Sequence, residues 1–139
     1  MKLLMIYCNN FSYQPAIKTL DEVETAENDV VEHTNVQTAF IQVEEEDTSE
    51  ERLKYVEKKM VKNLKWVAGK NSTKKIILHS FAHLSESKAS PEVTKELFNR
   101  VETRLDTSGY EVHQTPFGYF LDLNIDAPGL SLARVFKSF

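Results

Sequence analysis

Apolar residues in this chain fall into short runs and spaced series, separated by polar and acidic stretches. Residues 2–8 form a near-continuous apolar run that predicts a buried first strand. Residues 9–34 are polar and acidic with weak periodicity; within them Phe11, Tyr13 and Ile17 suit an extended hairpin partner. Residues 36–43 are rich in strand formers and predict a second core strand. Thr48 and Glu51 have the spacing of a capping box, and Leu53, Val56, Met60, Leu64 and Val67 then share one helical face. Gly69 is the expected stop of that helix. Residues 74–80 predict the next strand. Ser90-Pro91 opens a second helix, with Glu92 at its positive end and Val93, Leu97, Val101 and Leu105 on its buried side, closed by Gly109. Residues 110–114 and 117–125 predict two strands, antiparallel to each other across a turn at Pro116. Pro128-Gly129 turns the chain once more, into an edge strand or a short helix. The order β…β-α-β-α-β-β predicts a single α/β domain, a mixed sheet with two main helices on one face.

Length agrees with that layout, since 139 residues suit one core. An apolar fraction of 41% and a charged fraction of 27% are ordinary for a globular chain, and no apolar run has the length of a membrane span. The N-terminal run lacks a small-residue cleavage site, so it reads as a strand rather than a signal segment. One cysteine, Cys8, allows no internal disulfide and points to a reducing, cytoplasmic setting. With no basic neighbour it reads as a small buried side chain rather than a nucleophile. The net charge of −4 argues against tight non-specific nucleic-acid binding. It leaves room for contact with one end of an RNA held elsewhere. Lys62, Lys65, Lys70, Lys74 and Lys75 lie close together, and a solvated face accounts for them as well as an RNA track does.

Two stretches carry the candidate chemistry. The strand Ile76-Ile77-Leu78 ends abruptly in His79-Ser80-Phe81-Ala82-His83-Leu84-Ser85. Polar and small residues at the carboxyl end of a central strand face a cleft in open α/β sheets. Thr115-Pro116-Phe117-Gly118-Tyr119-Phe120 enters another strand and supplies a second lip. His79 and His83 invite a metal reading, but four residues along a strand separate them by about 13 Å and no third ligand lies near. Ser80 or Ser85 with His83 and Asp122 contains the residue types of a hydrolytic triad, without the glycine-flanked elbow that exposes a nucleophile. No phosphate-binding loop or dinucleotide fingerprint is present. Tyr119 and Phe120 alternate along a strand, so one of them is expected in the core. Trp66 is expected to pack, and His33 and His113 to be surface histidines.

Together Phe81-Ala82-His83-Leu84-Ser85, Ala89-Ser90-Pro91, Asn99-Arg100-Val101 and Pro116-Phe117-Gly118-Tyr119 resemble the N-terminal editing domain of archaeal threonyl-tRNA synthetases. Lys2-Leu3-Leu4-Met5-Ile6 and Ala39-Phe40-Ile41-Gln42-Val43 fit as well. The resemblance covers residues 1–139 as one editing domain, most strongly from 76 to 133. It implies a D-aminoacyl-tRNA deacylase-like fold, a homodimer, and removal of serine wrongly attached to threonine tRNA. The implied partners are the aminoacylated 3′ end of that tRNA and other domains of the synthetase, with no membrane and no cofactor for editing. Serine differs from threonine by one methyl group, worth roughly 1–3 kcal/mol in a pocket, so a second site must remove the error.

By the same resemblance Val43, Ala82, His83, Pro116, Phe117, Tyr119 and Phe120 line the aminoacyl pocket. Backbone groups of Phe117 and Gly118 act on the reacting ester, and His83 has a supporting role. Leu121 stands where many relatives carry lysine, Arg134 where they carry glutamate, and Phe120 where a tyrosine is common. Tyr7-Cys8-Asn9 replaces a pattern that begins with histidine. The mechanism compatible with these losses uses the 2′-hydroxyl of the terminal ribose to position or activate water, with backbone amides on the oxyanion. A D-aminoacyl-tRNA deacylase and a non-catalytic tRNA-binding or dimerisation module are the alternatives. Two origins suit the chain: an excised domain of a larger protein, or a trans-acting editor with its own tRNA-binding domain.

Overall fold

The computed structural model describes residues 1–139 and builds one mixed sheet of six strands. In chain order the elements are β1 (Lys2–Lys18), β2 (Val31–Gln42), α1 (Glu50–Lys70), β3 (Lys75–Ser80), α2 (Pro91–Thr107), β4 (Glu111–Gln114), β5 (Tyr119–Asp126) and β6 (Arg134–Ser138). The strand order is β4-β3-β2-β1-β5, and β6 also pairs with β1. β2, β3 and β4 run parallel, while β1 is antiparallel to β2, β5 and β6. The larger core lies under the helices, where Leu3, Met5, Ala39, Ile41, Ile76 and Leu78 meet Leu53, Met60, Leu64, Leu97 and Val101. Every residue expected on the buried stripe of α1 is buried, because a 3.6-residue period keeps them over the sheet.

β1 does not stop at Cys8. It continues through Phe11 and Tyr13 to Lys18, so the expected separate hairpin partner is the second half of the same strand. That half is covered on both sides, by residues 31–34 of β2 and by β5, which is why Phe11, Ser12 and Tyr13 are all buried despite their polar surroundings.

The largest correction concerns β4 and β5, which are not an antiparallel pair. β4 joins β3 in parallel at one edge, and β5 joins β1 at the other. Five strands laid flat put the outer two about 19 Å apart. The five steps from Gln114 to Tyr119 reach at most about 18 Å. The sheet therefore curls, and the second half of β1 carries β5 back over the face opposite the helices. A second core fills the curl: Cys8, Phe11, Val36, Phe40 and Ile77, with Leu121 and Leu123 packed against them. Phe11 and Phe40 meet edge to face at 6.4 Å although their backbone partners are His33 and Leu4. Burial there pushes the Cys8 thiol up to about 11, in keeping with a packing role.

Helix ends also differ in detail. Ser49, not Thr48, caps α1, accepting from the Arg52 amide at 3.2 Å. The capping box sits one turn earlier, on Glu44 and Asp47. Gly69 lies inside α1, which runs to Lys70 and is capped by Asn71. The Asn71 side chain, donating to the Gln37 side chain at 3.0 Å and Leu132 O at 2.9 Å, ties that end to the sheet. After Pro128-Gly129 both expected forms occur in turn, a 3-10 turn at Ser131–Ala133 and then β6. Trp66 is 42% exposed rather than packed, and neither Tyr119 nor Phe120 is core, because this part of β5 borders the open seam. His33 and His113 are half-buried, their rings 4.8 Å apart.

Candidate functional site

A cleft of about 510 Å³ opens where the curled sheet fails to close, between the carboxyl ends of β2 and β3 and the start of β5. Val43, Ala82, His83, Pro116, Phe117, Gly118, Tyr119 and Phe120 all line it, as does Leu121. His79 and Ser80 line it too, while Arg134 stands apart on β6 and donates to Pro128 O at 2.9 Å. No Asp or Glu is among the lining residues. No group of three or more His, Cys, Asp or Glu is arranged to hold a metal ion, and Asp122 is not among the lining residues.

The first lip, residues 81–89, is held by one buried side chain that sequence reasoning passed over. Gln42 accepts from the amides of Leu84 and Ser85, both at 2.7 Å, through Oε1. Its Nε2 donates to Ser85 O at 2.8 Å and Ser87 O at 2.9 Å. Four bonds from one amide fix a loop without regular structure of its own, and this use of all its polar sites lets glutamine be buried. The available signal was a lone glutamine inside Phe40-Ile41-Gln42-Val43. The Phe81 and Ala89 amides add bonds to Ile41 O and Val43 O. Ser85 Oγ donates to Glu44 at 2.7 Å.

The second lip, residues 115–119, is tied at both ends. His79 Nδ1 and Thr115 Oγ1 are 2.9 Å apart, joining the end of β3 to the start of the lip. Gly118 has φ +81°, a conformation favouring glycine. Its carbonyl accepts from both the amide and the hydroxyl of Thr19, at 2.7 and 2.8 Å. Residues 19–26 thus form a strap over the lip. Tyr119 belongs to it as well: its phenol accepts from the Ala26 amide at 2.9 Å and donates to Glu24 O at 3.4 Å. Phe117 packs edge to face on Phe98 at 6.3 Å. Among these contacts the N–H groups of Ala82, His83, Phe117 and Gly118 take no internal acceptor.

The imidazoles differ in character. His83 is exposed, its ring 4.8 Å from Phe81 and 6.5 Å from Phe120. His79 is buried; burial first, and then the neighbouring His83, lowers its pKa from 6.5 to about 4. At Glu44 burial works upward, but hydrogen bonds from the N-terminal ammonium, Ser85 and Lys2 outweigh it and hold the carboxyl at about 2, below its ordinary 4.5.

Both shifts make the fold acid-labile. The unfolded imidazole takes a proton near pH 6.5 and the folded one near 4, so the stability from His79 is whole above 6.5 and lost as pH falls to about 4. The contribution of Glu44 is whole above 4.5 and lost as pH falls towards about 2. Thermal unfolding across pH is expected to show both stages. His79→Gln should flatten the upper stage and Glu44→Gln the lower. A midpoint independent of pH between 7 and 4 in the unmodified protein contradicts the His79 assignment.

Comparison with known proteins bears on this site. Residues 1–139 match the family model described as the archaea-specific editing domain of threonyl-tRNA synthetase. Over 99% of its length the chain is 32% identical to a threonine–tRNA ligase of Thermococcus kodakarensis and 30% identical to one of Methanopyrus kandleri. It spans 22% of the length of each. A solved structure described as c-Myc DNA Unwinding Element Binding Protein superimposes with a TM-score of 0.69 at 12% identity, covering 100% of this chain and 99% of that one. The fold is therefore D-aminoacyl-tRNA deacylase-like, as the sequence resemblance implies.

Proposed function

This chain belongs to the family of archaea-specific editing domains of threonyl-tRNA synthetase, and from that premise we propose that it is a proofreading esterase removing L-serine from mischarged seryl-tRNA(Thr). One observation carries the reading: the residues of two lips that line a cleft without a carboxylate have backbone N–H groups with no internal acceptor. Fixed amide donors stabilise an ester's developing oxyanion without needing a charged side chain. The cleft volume lies within the usual range for ligand sites and suits an aminoacyl group with a terminal nucleoside.

In this reading Val43, Ala82, Pro116, Phe117, Tyr119 and Phe120 surround the aminoacyl group. The amides of Phe117 and Gly118 face its carbonyl oxygen. His83 orients the serine side chain or a water, and the free 2′-hydroxyl of the terminal adenosine positions the nucleophile. Water adds to the ester carbonyl, the C–O bond to the ribose 3′-oxygen breaks, and that oxygen leaves with a proton. The partners are the aminoacylated 3′ end of tRNA(Thr), a second copy of the chain and the remaining domains of a synthetase. The exposed Ile125, Leu130 and Phe136 supply apolar surface for self-association. The reaction calls on no cofactor.

Deacylation of L-seryl, L-threonyl and D-aminoacyl esters of one tRNA tests this. Rapid loss of L-serine alone is expected. Preferential loss of a D-residue indicates a D-aminoacyl-tRNA deacylase. Stability of all three esters indicates a binding or dimerisation module, the reading favoured by Leu121 in the cleft wall. His83→Ala should weaken cleavage by well under the roughly 10²–10⁴-fold that follows loss of an obligatory general base. A folded but inactive variant rules out the supporting role.

A further inference from the structure

α1 carries a charge pattern that the editing reading leaves unused. Seven of the chain's 17 lysines and arginines lie on this helix: Arg52, Lys54, Lys58, Lys59, Lys62, Lys65 and Lys70. Tyr55, Lys59, Lys62 and Trp66 recur at i, i+4, i+7 and i+11, so they form one stripe opposite the buried Leu53, Val56, Met60, Leu64 and Val67. None of the six lysines is in an ion pair. Between Arg52 and Lys70 the one acid is Glu57, and it is turned towards α2, where Arg100 and Arg104 hold it at 3.0 and 3.1 Å. The neighbouring Lys75 and Lys74 are drawn off, to Glu111 and to the ring of Tyr110. The unpaired positive charge is therefore concentrated on this helix, in a chain whose net charge is −4.

Two large aromatic side chains stand in the same stripe, Tyr55 at 45% and Trp66 at 42% exposure. Arg52 and Lys59 lie over the Tyr55 ring at 5.1 and 5.9 Å, and Lys137 over Trp66 at 6.0 Å. Arg52 is also paired with Asp47 at 2.6 Å, but the lysines beside these exposed amphipathic rings are unpaired, and they match a polyanion whose phosphates flank a hydroxyl-bearing sugar edge. Tyr55 and Trp66 are about 16 Å apart along the axis. A nucleic-acid duplex presents about one negative charge per 1.7 Å, so such a length supplies enough phosphates for every lysine. The amino end of α1 follows Val43 and Glu44, at the end of the sheet that holds the cleft. The stripe begins one turn further on, past the acidic Glu45, Glu46, Glu50 and Glu51, and runs away from it.

We propose that the outer face of α1 is a docking track for base-paired RNA, the stem adjoining the 3′ end whose terminal nucleotide enters the cleft. The lysines contact phosphates, while Tyr55 and Trp66 lie against the sugar edge of the shallow minor groove, where an RNA helix exposes its 2′-hydroxyls. The track deepens the editing reading by giving its substrate a second point of attachment, and it is testable without catalysis.

The probe is an RNA hairpin with a fully paired stem, no aminoacyl group and no single-stranded 3′ tail, titrated with the full chain at several salt concentrations. The unmodified protein is expected to bind at low salt, with log affinity falling linearly against log salt. Lys58→Glu/Lys62→Glu/Lys65→Glu should lose at least ~10-fold in affinity at low salt and show a shallower slope, by about one per lost phosphate contact. Glutamate and lysine have similar helix propensity, so the triple variant is expected to fold. Trp66→Ala should weaken binding at unchanged slope. Lys74→Glu, off the stripe, should leave binding within about two-fold, less than the loss of one base contact. Equal affinity and slope in the unmodified and triple-variant proteins overturns the proposal, as does absence of binding at low salt. A triple variant that changes oligomeric state while binding RNA normally makes α1 a protein contact and also overturns it. Intact hairpin binding without ester hydrolysis counts against the editing reading instead.

Discussion

Seryl-tRNA whose terminal adenosine lacks its 2′-hydroxyl is expected to be hydrolysed roughly 10²–10⁴-fold more slowly than the ribose form, the range associated with losing a positioned proton carrier. The reason is what the cleft lacks. No carboxylate lines it, and Leu121 in its wall can neither donate nor accept a proton. Phe120 has no phenol. Tyr119 has one, but the Ala26 amide and Glu24 carbonyl engage it. His79 is paired with Thr115 and stays neutral above about pH 4. His83 and Lys88 remain, both exposed and neither oriented by an acceptor, with His83 in aromatic contact with Phe81. A reaction proceeding here by the proposed route takes its proton-handling group from the substrate. The measurement compares single-turnover rates for the two tRNAs at saturating protein, so that weaker binding does not mimic slower chemistry. Equal rates sink the ribose-assisted mechanism while leaving the editing reading intact.

Gly118→Ala is expected to have the second-largest effect, because one substitution strikes both backbone geometry and packing. At φ +81° a side chain costs about 1–2 kcal/mol. A Cβ there also falls 3.0 and 3.1 Å from the Val23 methyls and 3.2 Å from Leu20 Cβ, with the strap on top. The midpoint of thermal unfolding should drop by on the order of 5 °C. Deacylation should fall about ten-fold or more, since a displacement of an ångström can cost 10²-fold in rate. Gly129→Ala is the matched control: nothing lies within 4 Å of its added Cβ, and both readouts should hold. A Gly118→Ala protein with unchanged stability and rate shows that the lip need not be rigid.

The same two lips show how far the chain could be read before its fold was known. The first stretch is marked by polar and small residues after an apolar run and the second by its turn into a strand, and the eight residues that the family resemblance assigns to the pocket line one cleft. What escaped notice were the side chains that hold the lips. Gln42 sits in an apolar strand 42 residues before the amide of Leu84, to which it bonds. Thr19 lies 99 residues from Gly118. Partnerships at such separation leave no periodicity to detect. Thr48 and Gly69 were misassigned for a different reason: capping residues are interchangeable locally, and the choice among neighbours follows from where the chain enters and leaves the helix.

By itself the sequence determined the parts governed by short-range geometry: the two amphipathic helices, the strand runs at 36–43, 74–80 and 110–114, the polar ends of the pocket lips and the family to which they belong. Only the tertiary structure decided that β4 and β5 lie on opposite edges, that the sheet curls around a second core, and that the strap engages Tyr119. The distinction is physical. A helix face or strand run is set by neighbours within one or two turns, whereas strand order and loop position depend on which distant apolar surfaces exclude water together. Here Phe40, Ile77, Leu121 and Leu123 share one core though they come from three different strands. Burying them is what brings the two lips face to face.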